Sequence, residues 1–448
     1  MPESEGPSVV ELDNISEYLG QSCPGRYIKK YAREIGCKTV VVEENYVDRD
    51  FLIDYANYYS RSHDPVERTV SRLHFFPNKF GIDEFLGTLD GTELGSVCGD
   101  YLGFSVVKPI RNKDDHAVIG RTLLKTYPLS DSQASIQRTY TRCKYKAHLY
   151  GHELKVESVP FQAQDGEVCK CATVALWTAC NVLNHLFGTQ TYSPAEITSN
   201  ATIVPSVTRS FPSNGLILEQ IFDFINYLGL EKDVIVVSKE EDPPGSEGRV
   251  RFAKMAIRAY LNLRVPIIGA ISMQKDGVED RHAVVVTGYG ENSKGELTEL
   301  YIHDDQIGPY CKTKWTHMSP NLSNEWTEKF HYRDVILEKL IAPVYPKIRL
   351  SFSTIWPRYK RSEESAKDRG LTSKIFFTTV CEYKEHLLHH EILDKTAVLT
   401  MRMPRFLAII RTSYKSQDLI DVVYDATAVY PKRSIAEITY GLPKTFGF

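Results

Sequence analysis

The chain carries no strong excess of charge of either sign, no long apolar run and no regular cysteine framework. Its formal charge of −3 over 448 residues provides no electrostatic footprint for nucleic acid or an anionic membrane surface, so neither is expected as a partner. No stretch reaches the length of a membrane span. The opening segment MPESEGPSVVELDNISEYLG lacks the basic and apolar regions of a secretory signal, and a cytoplasmic location is expected. The nine cysteines are odd in number and irregularly spaced, which reads as free thiols in a reducing compartment. Cys169 and Cys171 are spaced C-x-C, unlike the C-x-x-C of redox and zinc sites. Gly288-Tyr289-Gly290 follows a strand-like run but lacks the third glycine and the helix of a phosphate-cradling loop. His386, His389, His390 and Glu391 could share one helix face, yet a further ligand set is missing and a solvated face is expected. His303-Asp304-Asp305 suggests a cation site that nothing nearby in sequence completes, so neither a metal nor a cofactor is expected.

What is present centres on residues 161–188, FQAQDGEVCKCATVALWTACNVLNHLFG. A polar, turn-forming lead-in (Gln162, Gln164, Asp165, Gly166) runs into Cys171, and an apolar segment without Pro or Gly continues to Phe187 before Gly188 stops it. Apolar residues cover more than one face, which predicts a buried helix. A thiol in the first turn of such a helix meets unpaired backbone N–H groups and the positive end of the helix dipole, which favour the thiolate. A second stretch, 265–290, contains two β-rich runs joined by a polar turn around Lys275-Asp276-Gly277, with His282 at the threshold of the second. A third run, Leu300-Tyr301-Ile302, leads into His303, Asp304 and Asp305. Cysteine, histidine and aspartate at the edges of regular elements supply the parts of a thiol–imidazole–carboxylate triad.

QDGEVCKCATVALW followed by RHAVVVTGYG and YIHDD resembles the papain-like cysteine peptidases, and most nearly the branch of bacteriocin-leader-processing (double-glycine) peptidase domains. In that branch a Gln shortly precedes the nucleophilic Cys, and Ala-Leu stands at the fourth and fifth positions after it, as Ala175 and Leu176 do after Cys171. A G-x-P-V-I strand before an H-x-V-V-V-x-G strand is matched by Arg264–Ile268 and His282–Gly288. The residue after the nucleophile, usually Gly, is Ala172 here, and the acid, usually followed by Pro, is followed by Asp305. The Asn-Ser-Trp segment of the lysosomal relatives is missing. The resemblance covers roughly residues 158–315 and implies Cys171 as nucleophile, His282 as base, Asp304 as orienting acid and Gln164 as oxyanion donor. One such donor is typically worth about 3 kcal/mol. Cys169, Gln162 and Asp305 remain alternatives to Cys171, Gln164 and Asp304.

The expected fold class is α+β, with a papain-like catalytic domain over 158–315 flanked by α+β accessory domains over 1–157 and 316–448. In the first, KTVVVEE predicts a strand, residues 47–61 and 81–92 helices, and YLGFSVVKPI with AVIGRTLLKTY a hairpin. In the middle, SPAEIT, LILEQIFDFINYLGL and FAKMAIRAYLNL predict helices, and Lys239–Arg249 a surface loop. In the last, KIRLSFSTIW, KIFFTTV, TAVLTMRM, RFLAIIRTSY and LIDVVYDA read as strands, interrupted by a helix around Cys381–Asp394 and a charged loop, Arg358–Arg369. The expected activity is cleavage of a peptide or isopeptide bond in a protein or peptide substrate, with the accessory domains recognising a regulatory protein partner. Other acyl transfer on the same triad (transpeptidase, deamidase, transglutaminase) and a catalytically dead binding scaffold are the rival readings.

Overall fold

The structure, a computed structural model, describes residues 6–131, 135–166, 170–203, 215–237, 247–315, 319–415, 417–429 and 433–441. Among these residues the chain is mixed α+β, with thirteen α-helices and several antiparallel sheets. No helix among them is long and apolar enough to cross a membrane.

The first sheet is an antiparallel meander of five strands, Ser8–Glu11, Thr39–Tyr46, Val70–Phe76, Gly103–Arg111 and Ala117–Leu124. The predicted KTVVVEE strand and the hairpin are both there. Asp48 caps the helix Arg49–Asn57, its side chain accepting from Phe51 N at 2.9 Å, as an acidic residue at a helix start should. A separate hairpin, Cys143–Leu149 with His152–Ser158, follows.

The second sheet has nine strands. Its main path runs Glu231–Val236, Arg333–Val344, Ile267–Lys275, Val278–Glu291, Leu297–Asp304, Gly308–Trp315 and Leu322–Ser323. Ile136–Tyr140 joins it by pairing with Gly288–Glu291. The far edge returns to the sheet: Asn321 bridges Ile336, and Leu337 N donates to Pro320 O at 3.0 Å. Strands therefore wrap around a core that includes Met273, Val284, Val286, Leu300, Ile302, Trp326 and Leu337. The sheet takes strands from both sides of the 158–315 segment.

The helix Cys171–Phe187 lies against this sheet. Every residue from Ala172 to Leu183 is buried, and Gly188 ends the helix in the left-handed conformation at φ 70°. Period-two alternation along Val278–Glu291 divides the labour: Ala283 and Val285 belong to the cluster around this helix, Val284 and Val286 to the wrapped core. The same cluster includes Ile197 and Ala201 of the helix Pro194–Ala201, and Ile221, Phe224 and Ile225 of the helix Leu218–Tyr227.

The last part is a four-stranded antiparallel sheet, Thr372–Thr379, Phe406–Tyr414, Gln417–Asp425 and Ala436–Thr439. Three expectations fail here. KIRLSFSTIW ends inside a helix, Phe352–Lys367, which also occupies most of the expected charged loop. TAVLTMRM forms the helix Lys395–Thr400 instead of a strand. In the first case Ser351 accepts from Thr354 N as an N-cap, and Phe352, Ile355 and Tyr359 are buried at helical spacing. The S-F-S-T-I alternation mimicked a strand, but burial of that face decided the outcome. The expected loop at Lys239–Arg249 falls largely outside the described residues; the helix Glu247–Asn262 begins within its last three positions.

Candidate active site

Cys171 is the first residue of its helix and is half-buried, whereas Ala172 through Leu183 are buried. The thiol thus stands at an open end of a helix whose middle is enclosed. Cys169 lies outside the described residues. His282 lies on Val278–Glu291, in register with Ile271, and is buried. Its ring is near enough to the Cys171 thiol for the thiol to help raise the His282 pKa.

Asp304 ends the strand Leu297–Asp304. Its Oδ2 lies 3.1 Å from His282 Nε2, while Oδ1 accepts from the backbone of Gln306 at 2.8 Å and Ile307 at 3.2 Å. The turn that ends the strand thus fixes the carboxylate. With Nε2 directed at Asp304, the ring nitrogen left for the thiol is Nδ1. Asp305 also turns toward the ring, its Oδ1 3.5 Å from Nε2. That is ion-pair distance, but neither Asp305 oxygen has a hydrogen-bond partner.

Two opposing effects set the charge of His282. Burial lowers its pKa, but the Asp304 charge and hydrogen bond, the Cys171 hydrogen bond and the Asp305 charge hold it well above the usual imidazole value. These interactions favour the ring's accepting a proton. Burial raises the Asp305 pKa; His282 opposes this and the neighbouring Asp304 reinforces it.

The candidate oxyanion loop reaches the same place. Gln164 is half-buried, and its backbone N–H donates to Asp305 O at 3.4 Å. Gln162 is buried, and its side-chain Nε2 has no hydrogen-bond partner. Asp165 accepts from Tyr59 Oη at 2.7 Å, so the loop is also tied to the N-terminal part of the chain.

Several contributors were not read from the sequence. Trp326 is buried, and its ring stands perpendicular to His282 with centroids 5.7 Å apart, shielding the imidazole. It sits in Asn324-Glu325-Trp326, where Asn324 Oδ1 accepts from Trp326 N at 2.9 Å and Asn324 Nδ2 donates to Thr313 Oγ1 at 3.1 Å. An Asn two residues before a Trp was the available signal. Asp50 holds the thiol helix from outside, accepting from Trp177 Nε1 at 2.8 Å and from Arg121 at 2.6 Å. His303, adjacent to the acid, points elsewhere: its Nδ1 lies 3.2 Å from Pro160 O, and burial depresses its pKa to about 3.

Among the described residues, one group has the composition and proximity to hold a metal ion: His282, Asp304 and Asp305, whose ligand atoms all lie within 4.8 Å of one another. His282, distant in sequence, thus completes the set that His303 does not. A cavity of about 1200 Å³ lies away from this cluster; its charged lining residues include Arg251, Lys254, Arg258, Glu291, Lys374 and Arg411. Its charges are largely paired with each other, as in Arg258–Glu291, Lys374–Glu291 and Arg251–Glu363.

The chain matches no model of a known protein family, and no curated protein matches it in sequence.

Proposed function

We propose that the protein is a papain-like cysteine peptidase in which Cys171, His282 and Asp304 act as nucleophile, base and orienting acid. The observation that carries this reading is the pairing of His282 Nε2 with a backbone-anchored Asp304 carboxylate 3.1 Å away, beside a half-buried thiol at a helix start that acts on the same ring. Further support comes from Arg264, whose φ of 61° is the conformation that the glycine of the G-x-P-V-I pattern adopts freely.

His282 takes the Cys171 proton on Nδ1 and keeps its Nε2–H on Asp304. The thiolate attacks the carbonyl carbon, and the electron pair moves to oxygen, where Gln164 or Gln162 and the Cys171 backbone N–H are the candidate donors. When the carbon–nitrogen bond breaks, imidazolium returns its proton to the leaving amine. Water then gives its proton to His282 and attacks the thioester, releasing a carboxylic acid and the free thiol.

A thiol-reactive activity probe should label the wild type and Cys169→Ala but not Cys171→Ala. Labelling that survives Cys171→Ala would overturn the assignment. Mass analysis of products with and without an added amine separates hydrolysis from acyl transfer.

A further inference from the structure

The acid side of His282 carries one carboxylate more than a proton relay uses. Asp304 is held by two backbone N–H groups. Asp305 is not: its side chain is 1% exposed, and neither oxygen has a hydrogen-bond partner. A buried carboxylate with no hydrogen-bond donor is costly to ionise, and the one imidazole beside it is shared with Asp304, so two acids converge on a single ring where a cation would serve both. Arginine and lysine do not supply it by direct contact, since His282 is the one cation within ion-pair distance of Asp305 among the described residues.

The spacing of the donors fits a small ion. His282 Nε2 lies 3.1 Å from Asp304 Oδ2 and 3.5 Å from Asp305 Oδ1. Two ligands bound at about 2.1 Å and at a tetrahedral angle stand roughly 3.4 Å apart. One imidazole nitrogen with two carboxylate oxygens suits a borderline d-block ion such as Zn²⁺ better than Mg²⁺ or Ca²⁺, which take oxygen sets.

We propose that His282, Asp304 and Asp305 form a binding site for a zinc-class divalent cation, and that the bound ion arrests the peptidase. The second half rests on the triad reading; the first does not. On binding, the Nε2 proton leaves to solvent and its lone pair goes to the ion. The ring then keeps one proton, on Nδ1, and is neutral apart from the ion. That proton is far less acidic than an imidazolium proton, so the leaving amine is not protonated and acylation stops. Removing the ion restores Nε2–H and its bond to Asp304.

The full chain carrying Cys171→Ala offers no thiol at residue 171 to compete for the metal. Calorimetric titration of this variant with zinc chloride should give one ion per chain, and adding Asp305→Asn should weaken binding about tenfold or more. Melting curves check that each variant is folded; should the Asn variant fail, His282→Gln in the same background carries the comparison. No zinc uptake by Cys171→Ala, or equal affinity after Asp305→Asn, overturns the site. Zinc should also slow substrate cleavage by the wild type, and a chelator should restore it. If zinc binds but the wild type cleaves nothing, the peptidase reading has failed and the metal site stands. If zinc binds Cys171→Ala yet leaves cleavage by the wild type unchanged, the arrest is overturned.

Discussion

At the scale of single residues, the acid of the proposed triad is distinguished from its neighbour by anchoring, not by identity. Asp304 and Asp305 are adjacent aspartates, both buried, both directed at one ring nitrogen. Only Asp304 is fixed by the turn that follows it, through Gln306 N and Ile307 N. A group that must hold an imidazole to one tautomer through each cycle needs that fixity, because a freely rotating carboxylate spends orientation entropy at every turnover. Asp304→Ala should therefore lower kcat/KM by roughly a hundredfold or more, even though a second carboxylate remains 3.5 Å from Nε2. Steady-state cleavage of a peptide substrate measures it, and a loss below about tenfold would transfer the role to Asp305. The turn is also closely packed. A Cβ on Gly308 would come within 2.1 Å of Tyr27 Cδ1, so the helix Cys23–Glu34 and the acid turn can approach only because residue 308 is glycine.

At the scale of elements, the thiol helix is set by neighbours from distant parts of the chain. The helix Arg49–Asn57 supplies Asp50 to Trp177, and it also supplies Asp54, whose Oδ1 accepts from Ala195 N at 3.0 Å in the first turn of Pro194–Ala201. Burial raises the Asp54 pKa to about 6; Lys108, the Ala195 N–H and Ser193 oppose this, and Asp165 adds to it. The folded state thus holds a proton that the unfolded chain releases near pH 3.8. This contribution to stability is complete below about pH 4 and is lost as pH rises through about 6. A two-unit difference corresponds to about 3 kcal/mol. Asp54→Asn keeps an acceptor for Ala195 N and removes the titration. The stability difference between variant and wild type, measured by urea unfolding, should move in favour of the variant by about 2–3 kcal/mol between pH 4 and pH 7.5. A difference that does not change with pH would refute this account.

The same scale explains what could be read beforehand. The helix from Cys171 to Phe187 was legible because an uninterrupted apolar run and a terminal glycine are local signals. His282 and Asp304 were legible because each stands where a strand with strong β-forming residues changes character. Trp326, Asp50 and the convergence of Asp305 on Nε2 were not, because they depend on contacts between segments from 44 to 127 residues apart or on which way one turn faces. The helix Phe352–Lys367 was misread because its burial depends on later strands, including Thr372–Thr379 and Phe406–Tyr414, whose Ile375, Phe377, Phe406 and Ala408 share a core with Phe352 and Ile355.

At the scale of the whole molecule, the sheet that carries the histidine is not confined to the stretch that carries the recognisable motifs. Arg333–Val344 pairs with both Glu231–Val236 and Ile267–Lys275, and Ile136–Tyr140 pairs with Gly288–Glu291. Without Arg333–Val344, the strand before His282 becomes an open edge and Glu231–Val236 loses its only ladder among the described residues. Ending the chain at residue 315 also removes Trp326 from the face of His282. An isolated segment spanning 158–315 should therefore fail to fold cooperatively, despite containing Cys171, His282 and Asp304. A chain running from residue 6 to residue 345 keeps the complete second sheet but exposes the face of Glu247–Asn262 that meets Thr372–Thr379. It should fold with reduced stability and retain labelling at Cys171. Thermal melts and probe labelling of the two fragments decide the matter: a sharp transition and full labelling in 158–315 alone would mean that the motif-bearing segment is self-sufficient. In that case the flanking strands would extend the sheet without determining the site.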